Sequence, residues 1–283
     1  MPSFTAAIVQ MRATTDPAVN VDAMARLVAE AASAGAAYVQ TPEMTGMLCR
    51  DRALLQACLR SEQDDPVVAA AREIARRHSI VLHIGSTAID AGEGRAANRA
   101  FVIGADGAIV ATYDKIHMFD VDLDNGESWR ESRTYAPGDE ARVADIAPAG
   151  VPTRLGLAVC YDMRFPELFA AEALAGAQVL TAPAAFTRQT GEAHWHVLLR
   201  ARAIENGAFV VAAAQGGVHE DGRETYGHSL IADPWGRVIA EVDGNKPGIA
   251  LATIDLEAVE AARSKIPNLK NRRPFARPGD VAA

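Results

Sequence analysis

Short apolar runs that alternate with segments of helical period are the feature that most narrows the folds open to this chain. Phe4-Thr5-Ala6-Ala7-Ile8-Val9 reads as a strand, and Val21, Met24, Leu27, Val28 and Ala31 then recur at helical spacing. Residues 37–40 read as a second strand, which leads into Thr41-Pro42-Glu43. This is a βαβ opening, and it puts parallel strands beside one another with a helix across one face. Asp65 before Pro66 marks a helix start, and that helix runs through Val68, Ile74 and Ala75 to a basic end at Arg76 and Arg77. Residues 80–89 then read as a buried strand, and 98–103 and 108–114 flank Gly104-Ala105-Asp106-Gly107 as an antiparallel hairpin, so the sheet is mixed.

The second half repeats the alternation. Strands are expected near 141–147, 153–160, 178–183, 208–215, 228–233, 237–242 and 248–254, with helices near 166–175, 193–206 and 256–265. Residues 116–139 show little periodicity, and a loop of that length inside a compact domain is more often functional than idle. A chain of 283 residues, 49% hydrophobic and 23% charged, can bury a large core, which points to one domain of packed layers over 1–266. Residues 267–283 form a tail with Lys270, Arg272, Arg273, Arg277, Phe275 and several prolines, expected to be extended.

The net charge of -8 and a pI near 5.4 argue against a nucleic-acid partner, which calls for a basic stripe. Cys49, Cys58 and Cys160 have no paired spacing, so a disulfide framework is not expected and a reducing compartment is. The first residues enter a strand without a basic segment and apolar core, and no apolar run reaches membrane-spanning length; the expected location is the cytoplasm.

Cys160 carries the clearest chemical signal. It ends the run Leu155-Gly156-Leu157-Ala158-Val159, and Tyr161 to Leu168 lead into a helix, so the thiol sits at a strand-to-helix corner where a nucleophile can face a pocket. Two other apolar strands end at Glu43 and at Tyr113-Asp114-Lys115. A free thiol has a pKa of roughly 8.5 and needs a cation or a base to act near neutrality. In amide hydrolysis Glu43 would take the thiol proton and return it to the leaving nitrogen, giving a thioester and ammonia, after which water activated by the same carboxylate releases the acid. Lys115 and the Tyr161 backbone N–H would stabilise the oxyanion. Spacing alone does not join the three residues, because they lie far apart in the chain.

The surrounding words do join them. Thr41-Pro42-Glu43, Tyr113-Asp114-Lys115-Ile116-His117 and Cys160-Tyr161-Asp162-Met163-Arg164-Phe165-Pro166-Glu167 resemble, in order, the three signature segments of the nitrilase, or carbon-nitrogen hydrolase, superfamily. The resemblance covers nearly the whole chain. It implies an α/β fold, an α-β-β-α sandwich of two mixed sheets flanked by helices, with a Glu-Lys-Cys triad at Glu43, Lys115 and Cys160 and no cofactor. It also implies a second glutamate in the loop after the lysine, for which Glu127 in Gly126-Glu127-Ser128 is the candidate, and assembly into a homodimer or larger oligomer with the tail at a subunit boundary. Phe186-Thr187, Gly191-Glu192-Ala193-His194-Trp195, the run 200–206, Gly227-His228-Ser229 and Asp233-Pro234-Trp235-Gly236 look like the amidases acting on deaminated glutathione and their relatives the ω-amidases. True nitrilases and carbamoyl hydrolases use the same triad, and a catalytically silent scaffold is the non-enzymatic alternative.

Substrates of that branch carry carboxylates, so a cation is expected in the pocket. Arg188, after Phe186 and Thr187, is the candidate; Arg130 and Arg133 compete with it. Arg164 is read as a structural ion pair with Asp162 or Glu167. His194 and His196 form an H-x-H pair, but residues two apart on a helix face different ways and no further ligand follows, so no metal site is expected. His117 and His228 are not in a papain-like setting. Gly92-Glu93-Gly94 reads as a hairpin loop and not a dinucleotide fingerprint.

Overall fold

The computed structural model describes residues 2–123, 126 and 128–275. Its first sheet has the order Gly248–Asp255, Ser3–Gln10, Tyr38–Gln40, Val81–Gly92, Arg95–Ile103, Ile109–Asp114, with Tyr135–Ala136 also against Arg95–Ile103. The second has the order Val238–Glu241, Leu230–Ala232, Phe209–Ala212, Val179–Thr181, Thr153–Leu157, Arg142–Ile146. Each is mixed: Ser3–Gln10 pairs in parallel with Tyr38–Gln40 and antiparallel with Gly248–Asp255, and Thr153–Leu157 does the same with Val179–Thr181 and Arg142–Ile146.

Alternation along Ser3–Gln10 shows how the layers form. Ala6 and Ile8 join a core with Leu155, Leu157, Val179 and Val210 of the other sheet, while Ala7 and Val9 join Met24, Leu27, Val28, Val67 and Ile74 of the helices Pro17–Ser33 and Pro66–His78. Both faces are buried, which is why these strands read as nearly unbroken apolar runs. Helices Pro166–Leu174 and Arg188–Asn206 cover the second sheet through Phe169, Trp195 and Leu199. The result is the α-β-β-α sandwich. Helix starts follow their signals: the Asp65 carboxylate accepts from the Val67 and Val68 N–H groups, both at 2.9 Å, with Pro66 in the first turn.

Buried glutamines tie the sheets together. Ala213 N–H donates to Gln40 Oε1 at 2.8 Å and Ser229 N–H to Gln10 Oε1 at 2.9 Å. Gln215 Nε2 donates to the Glu43 carbonyl at 3.0 Å. At Gly85 the sheets meet without room for a side chain. An added Cβ would lie 2.5 Å from Pro183 Cβ and closer still to the Thr41 carbonyl, so the strand ends leading to Glu43 and to Ala185 would be forced apart. Gly85→Ala is therefore expected to cost about 1–3 kcal/mol of stability and, by displacing Glu43, at least about tenfold in kcat. Thermal unfolding and steady-state rates on the same preparation check this, and a folded variant with wild-type kcat would contradict it.

Three local features depart from the sequence reading. Helix Arg188–Asn206 starts five residues earlier than 193 and includes Gly191, where a Cβ would overlap the Tyr226 ring. The strand expected at 208–215 stops at Ala212, and Gly216–Val218 pairs with Glu224–Tyr226 as a separate hairpin. Within the aperiodic stretch, Asp120–Asp122 pairs with Ser128–Arg130. These strands are three residues long, too short for alternation to register.

Candidate active site

Strand direction gathers the chemistry at one edge. Tyr38–Gln40 runs parallel to Val81–Gly92, and Ile109–Asp114 runs the same way through two antiparallel pairings, so Glu43 and Lys115 follow carboxyl ends on one side of the first sheet. Cys160 and Ala185 follow the carboxyl ends of Thr153–Leu157 and Val179–Thr181 in the second. Crevices beyond strand carboxyl ends are the usual ligand sites of such sheets.

Cys160 has φ 52°, in the left-handed region that a residue with a Cβ avoids. The strain persists because the corner is held on both sides. Cys160 N–H donates to the Pro183 carbonyl at 2.9 Å. Two residues on, the fully buried Asp162 carboxylate accepts from Val159 N–H at 2.9 Å, Tyr113 Oη at 2.7 Å and His117 N–H at 3.0 Å, and meets His117 Nδ1 at 2.7 Å. One carboxylate thereby ties the thiol corner to the segment carrying Lys115. Tyr161 N–H lies in the first turn of the short helix Cys160–Arg164, where a backbone donor has no intrahelical acceptor.

Glu43, 5% exposed, is fixed by three donors: Ala185 N–H to Oε2 at 2.7 Å, Asn98 Nδ2 to Oε1 at 2.9 Å, and Lys115 Nζ to Oε1 at 3.0 Å. Lys115, 2% exposed, also donates to both oxygens of Glu131 at 2.9 and 2.8 Å. Phe119 N–H donates to Glu131 Oε2 at 2.7 Å, and Asn98 Nδ2 reaches Glu131 Oε1 at 3.2 Å. Asn98 so bridges the two carboxylates that flank the ammonium.

Burial works against every charge here, and the neighbours decide each outcome. Burial opposes Glu43 ionisation, but Lys115, the Cys160 thiol and Ala185 N–H together hold its carboxyl below the ordinary value. Burial likewise opposes the Lys115 charge, and Glu131 and Glu43 outweigh it, holding the ammonium well above its ordinary range. The Cys160 thiol goes the other way: burial and the Glu43 charge push it well above the ordinary value, and Lys115 offsets only part of this. The resting site is thus a protonated thiol facing a carboxylate, with a fixed ammonium beside them. Lys115 does not by itself turn Cys160 into a thiolate.

These groups open into a cavity of about 320 Å³, lined also by Tyr161, Phe186, Thr187, Trp129, Arg50 and Arg223. Of the residues expected to bind substrate, Tyr161, Phe186 and Thr187 line this cavity. Arg188 does not: its side chain is 58% exposed and held by Glu192 at 2.9 Å and Glu224 at 2.8 Å. As the first residue of its helix it turns outward, one step past the last lining position of the loop. Glu127 lies outside the described residues, and the loop carboxylate on Lys115 is Glu131. Nothing in the aperiodic sequence ranks one glutamate over the other; in the structure Glu131 opens the short helical turn Glu131–Arg133.

Other sequence candidates take structural places. Arg164 stacks over Phe186 at 5.3 Å and Tyr161 at 5.7 Å and meets His194 Nδ1 at 3.3 Å, and among the described residues it does not make the ion pair expected with Asp162 or Glu167. His117 stacks on Phe165 with ring centroids 3.5 Å apart. The H-x-H pair is split, with His196 and His228 both on Glu241 Oε1 at 3.1 and 2.8 Å.

Comparison with known proteins adds four findings. The Carbon-nitrogen hydrolase family profile matches residues 5–264. The deaminated glutathione amidase of Homo sapiens is 40% identical over 272 residues, 95% of this chain and 82% of that one. Among solved structures, the NitFhit protein of C. elegans superimposes with a TM-score of 0.86 at 36% identity over 96% of this chain, which spans 65% of that longer protein. A variant of the amidase from Nesterenkonia sp. AN1, with the acetamide moiety of fluoroacetamide covalently added at its active site cysteine, superimposes with a TM-score of 0.79 at 27% identity over 95% of this chain and 94% of that one.

Proposed function

The chain belongs to the carbon-nitrogen hydrolase family, and from that premise we propose that it is a deaminated glutathione amidase in which Glu43, Lys115 and Cys160 carry the reaction. Glu43 takes the thiol proton as Sγ attacks the amide carbonyl. The oxyanion develops between Lys115 Nζ and Tyr161 N–H. Glu43 then protonates the leaving nitrogen, the C–N bond breaks, and a thioester remains on Cys160. Water loses a proton to Glu43 and adds to the thioester, the carboxylic acid departs, and the thiol recovers its proton. Glu131 and Asn98 position Lys115 and Glu43.

In deaminated glutathione the amide nitrogen belongs to the cysteine residue, so the amine that leaves is cysteinylglycine and the acid is 2-oxoglutarate. Ammonia, expected from the sequence, leaves only when the substrate is a primary amide. The observation that carries the proposal is the closed set of contacts around Lys115, with Glu43 and Glu131 on the ammonium and the thiol facing Glu43.

Three free cysteines suit a reducing cytoplasm, and among the described residues no helix is long and apolar enough to cross a membrane. Exposed Leu174, Val197 and Ile204 on the outer helices suit a homo-oligomer. The test of function is 2-oxoglutarate formation from deaminated glutathione and from 2-oxoglutaramate, side by side, with wild type and Cys160→Ala. A kcat/KM at least about tenfold higher for the tripeptide, lost in the variant, is the expected result. Preference for the smaller amide would make this an ω-amidase, and turnover of neither would reject both.

A further inference from the structure

The cavity lining includes a guanidinium, that of Arg223, whose one ion pair among the described residues is loose. Arg223 has its Cζ 4.7 Å from the centroid of the Trp129 ring, and Arg50 has its own 4.4 Å from the same centroid. The Arg223 side chain is 15% exposed, and its Nε is buried with no hydrogen-bond partner among the described residues. Its ion-pair partner among the described residues, Asp221 Oδ2, is 3.7 Å from Nη2, beyond hydrogen-bond distance. Asp221 Oδ1 instead accepts from the Arg223 backbone N–H at 2.9 Å.

The contrast with other arginines is chemical. Arg130, which also lines the cavity, is neutralised by both oxygens of Asp122 at 2.9 and 2.8 Å. Arg99 is held by Asp114 at 2.7 and 2.8 Å. Arg223 has no such partner among the described residues, and a second cation shares its indole. A planar fork left unmatched in a half-dry pocket presents two parallel donors to a carboxylate. An unpaired buried group of this kind costs stability unless a ligand completes it.

We propose that Arg223, assisted by Arg50, binds the carboxylate at the far end of the substrate's acyl portion, so that the site selects amides of dicarboxylic acids. This rests on the amidase reading given above. The acyl portion is the part that stays, bound through the thioester, while the amine leaves and water enters. It therefore takes the part of the lining withdrawn from solvent, to which Arg223, 15% exposed, belongs, and the leaving amine faces solvent. Arg50, exposed at the rim, adds charge without enclosing the ligand.

The test uses binding as well as turnover. In a Cys160→Ala background, calorimetry with 2-oxoglutarate is expected to show a Kd weakened roughly 30- to 100-fold by Arg223→Gln and a smaller loss with Arg50→Gln. In the active enzyme, Arg223→Gln should raise KM for 2-oxoglutaramate by a similar factor while kcat/KM for butyramide changes less than about threefold. Circular dichroism shows whether Arg223→Gln folds, and Arg50→Gln on the rim keeps the test open if it does not. Equal losses on both amides, unchanged 2-oxoglutarate affinity, or no 2-oxoglutarate binding by the unsubstituted pocket would overturn the proposal. Turnover with unchanged affinity in Arg223→Gln rejects this subsite alone; arginine-dependent binding without turnover of either carboxylated amide rejects the amidase reading alone.

Discussion

Glu43→Gln is expected to lower kcat by roughly 10³- to 10⁴-fold, the upper range for a positioned general base, and Cys160→Ala to remove thioester formation altogether. The size of the first effect follows from the state of the thiol. Burial and the Glu43 charge hold Cys160 protonated, so the nucleophile exists only when Glu43 accepts its proton during attack. A site built on a ready-made thiolate would lose far less. Rate–pH profiles separate the two. Glu43 must be ionised, and its carboxyl lies below the ordinary 4.5, so the acid limb of kcat/KM should fall below about pH 4.5. The thiol and Lys115 both lie well above their ordinary values, so no alkaline fall is expected below about pH 9. In Glu43→Gln the thiol has no base, and the residual rate should climb about tenfold per pH unit as thiolate forms. A flat profile in Glu43→Gln at near wild-type rates would end the general-base assignment.

Glu131→Gln should cost about 10²- to 10³-fold in kcat. Lys115 would keep Glu43, but the two charge-assisted contacts from Glu131 would be replaced by one neutral amide that can also turn its NH₂ toward the ammonium. The ammonium would then swing off the line to the oxyanion, and a displacement of about 1 Å is enough for a loss of this order. Phe119 N–H would lose a charged acceptor too, loosening the backbone that leads into the loop. Single-turnover kinetics should place the loss in thioester formation. Glu127→Gln, made alongside, is expected to keep activity within about threefold, because both loop contacts from Lys115 are already taken by Glu131. The reverse pattern would return the role to Glu127.

What could be read in the chain and what could not divide along physical lines. Glu43, Lys115 and Cys160 were legible because each ends an apolar run, and a strand end is a local property of a few adjacent residues. Asn98 was not, since it sits inside a strand that reads only as buried, and its function comes from standing between Glu43 and Glu131. Arg223 was not legible either. It lies in the turn-forming stretch Glu220-Asp221-Gly222-Arg223, where an arginine usually faces water, and only Trp129, brought from nearly a hundred residues away, turns it into the pocket. Arg188 misled for the mirror reason: its sequence neighbours line the cavity, but one step along a helix start rotates a side chain by about 100°.

Patterns within a few residues carried the alternation of strands and helices and the mixed sheet, and three short words resembling one family carried the two-sheet sandwich and the residues proposed as base, cation and nucleophile. Tertiary structure decided that Glu131 holds Lys115, that Arg223 lines the cavity while Arg188 does not, and that the thiol is pushed toward its protonated form. Desolvation and Coulomb interactions set those outcomes, and both depend on groups that meet only when distant strand ends converge.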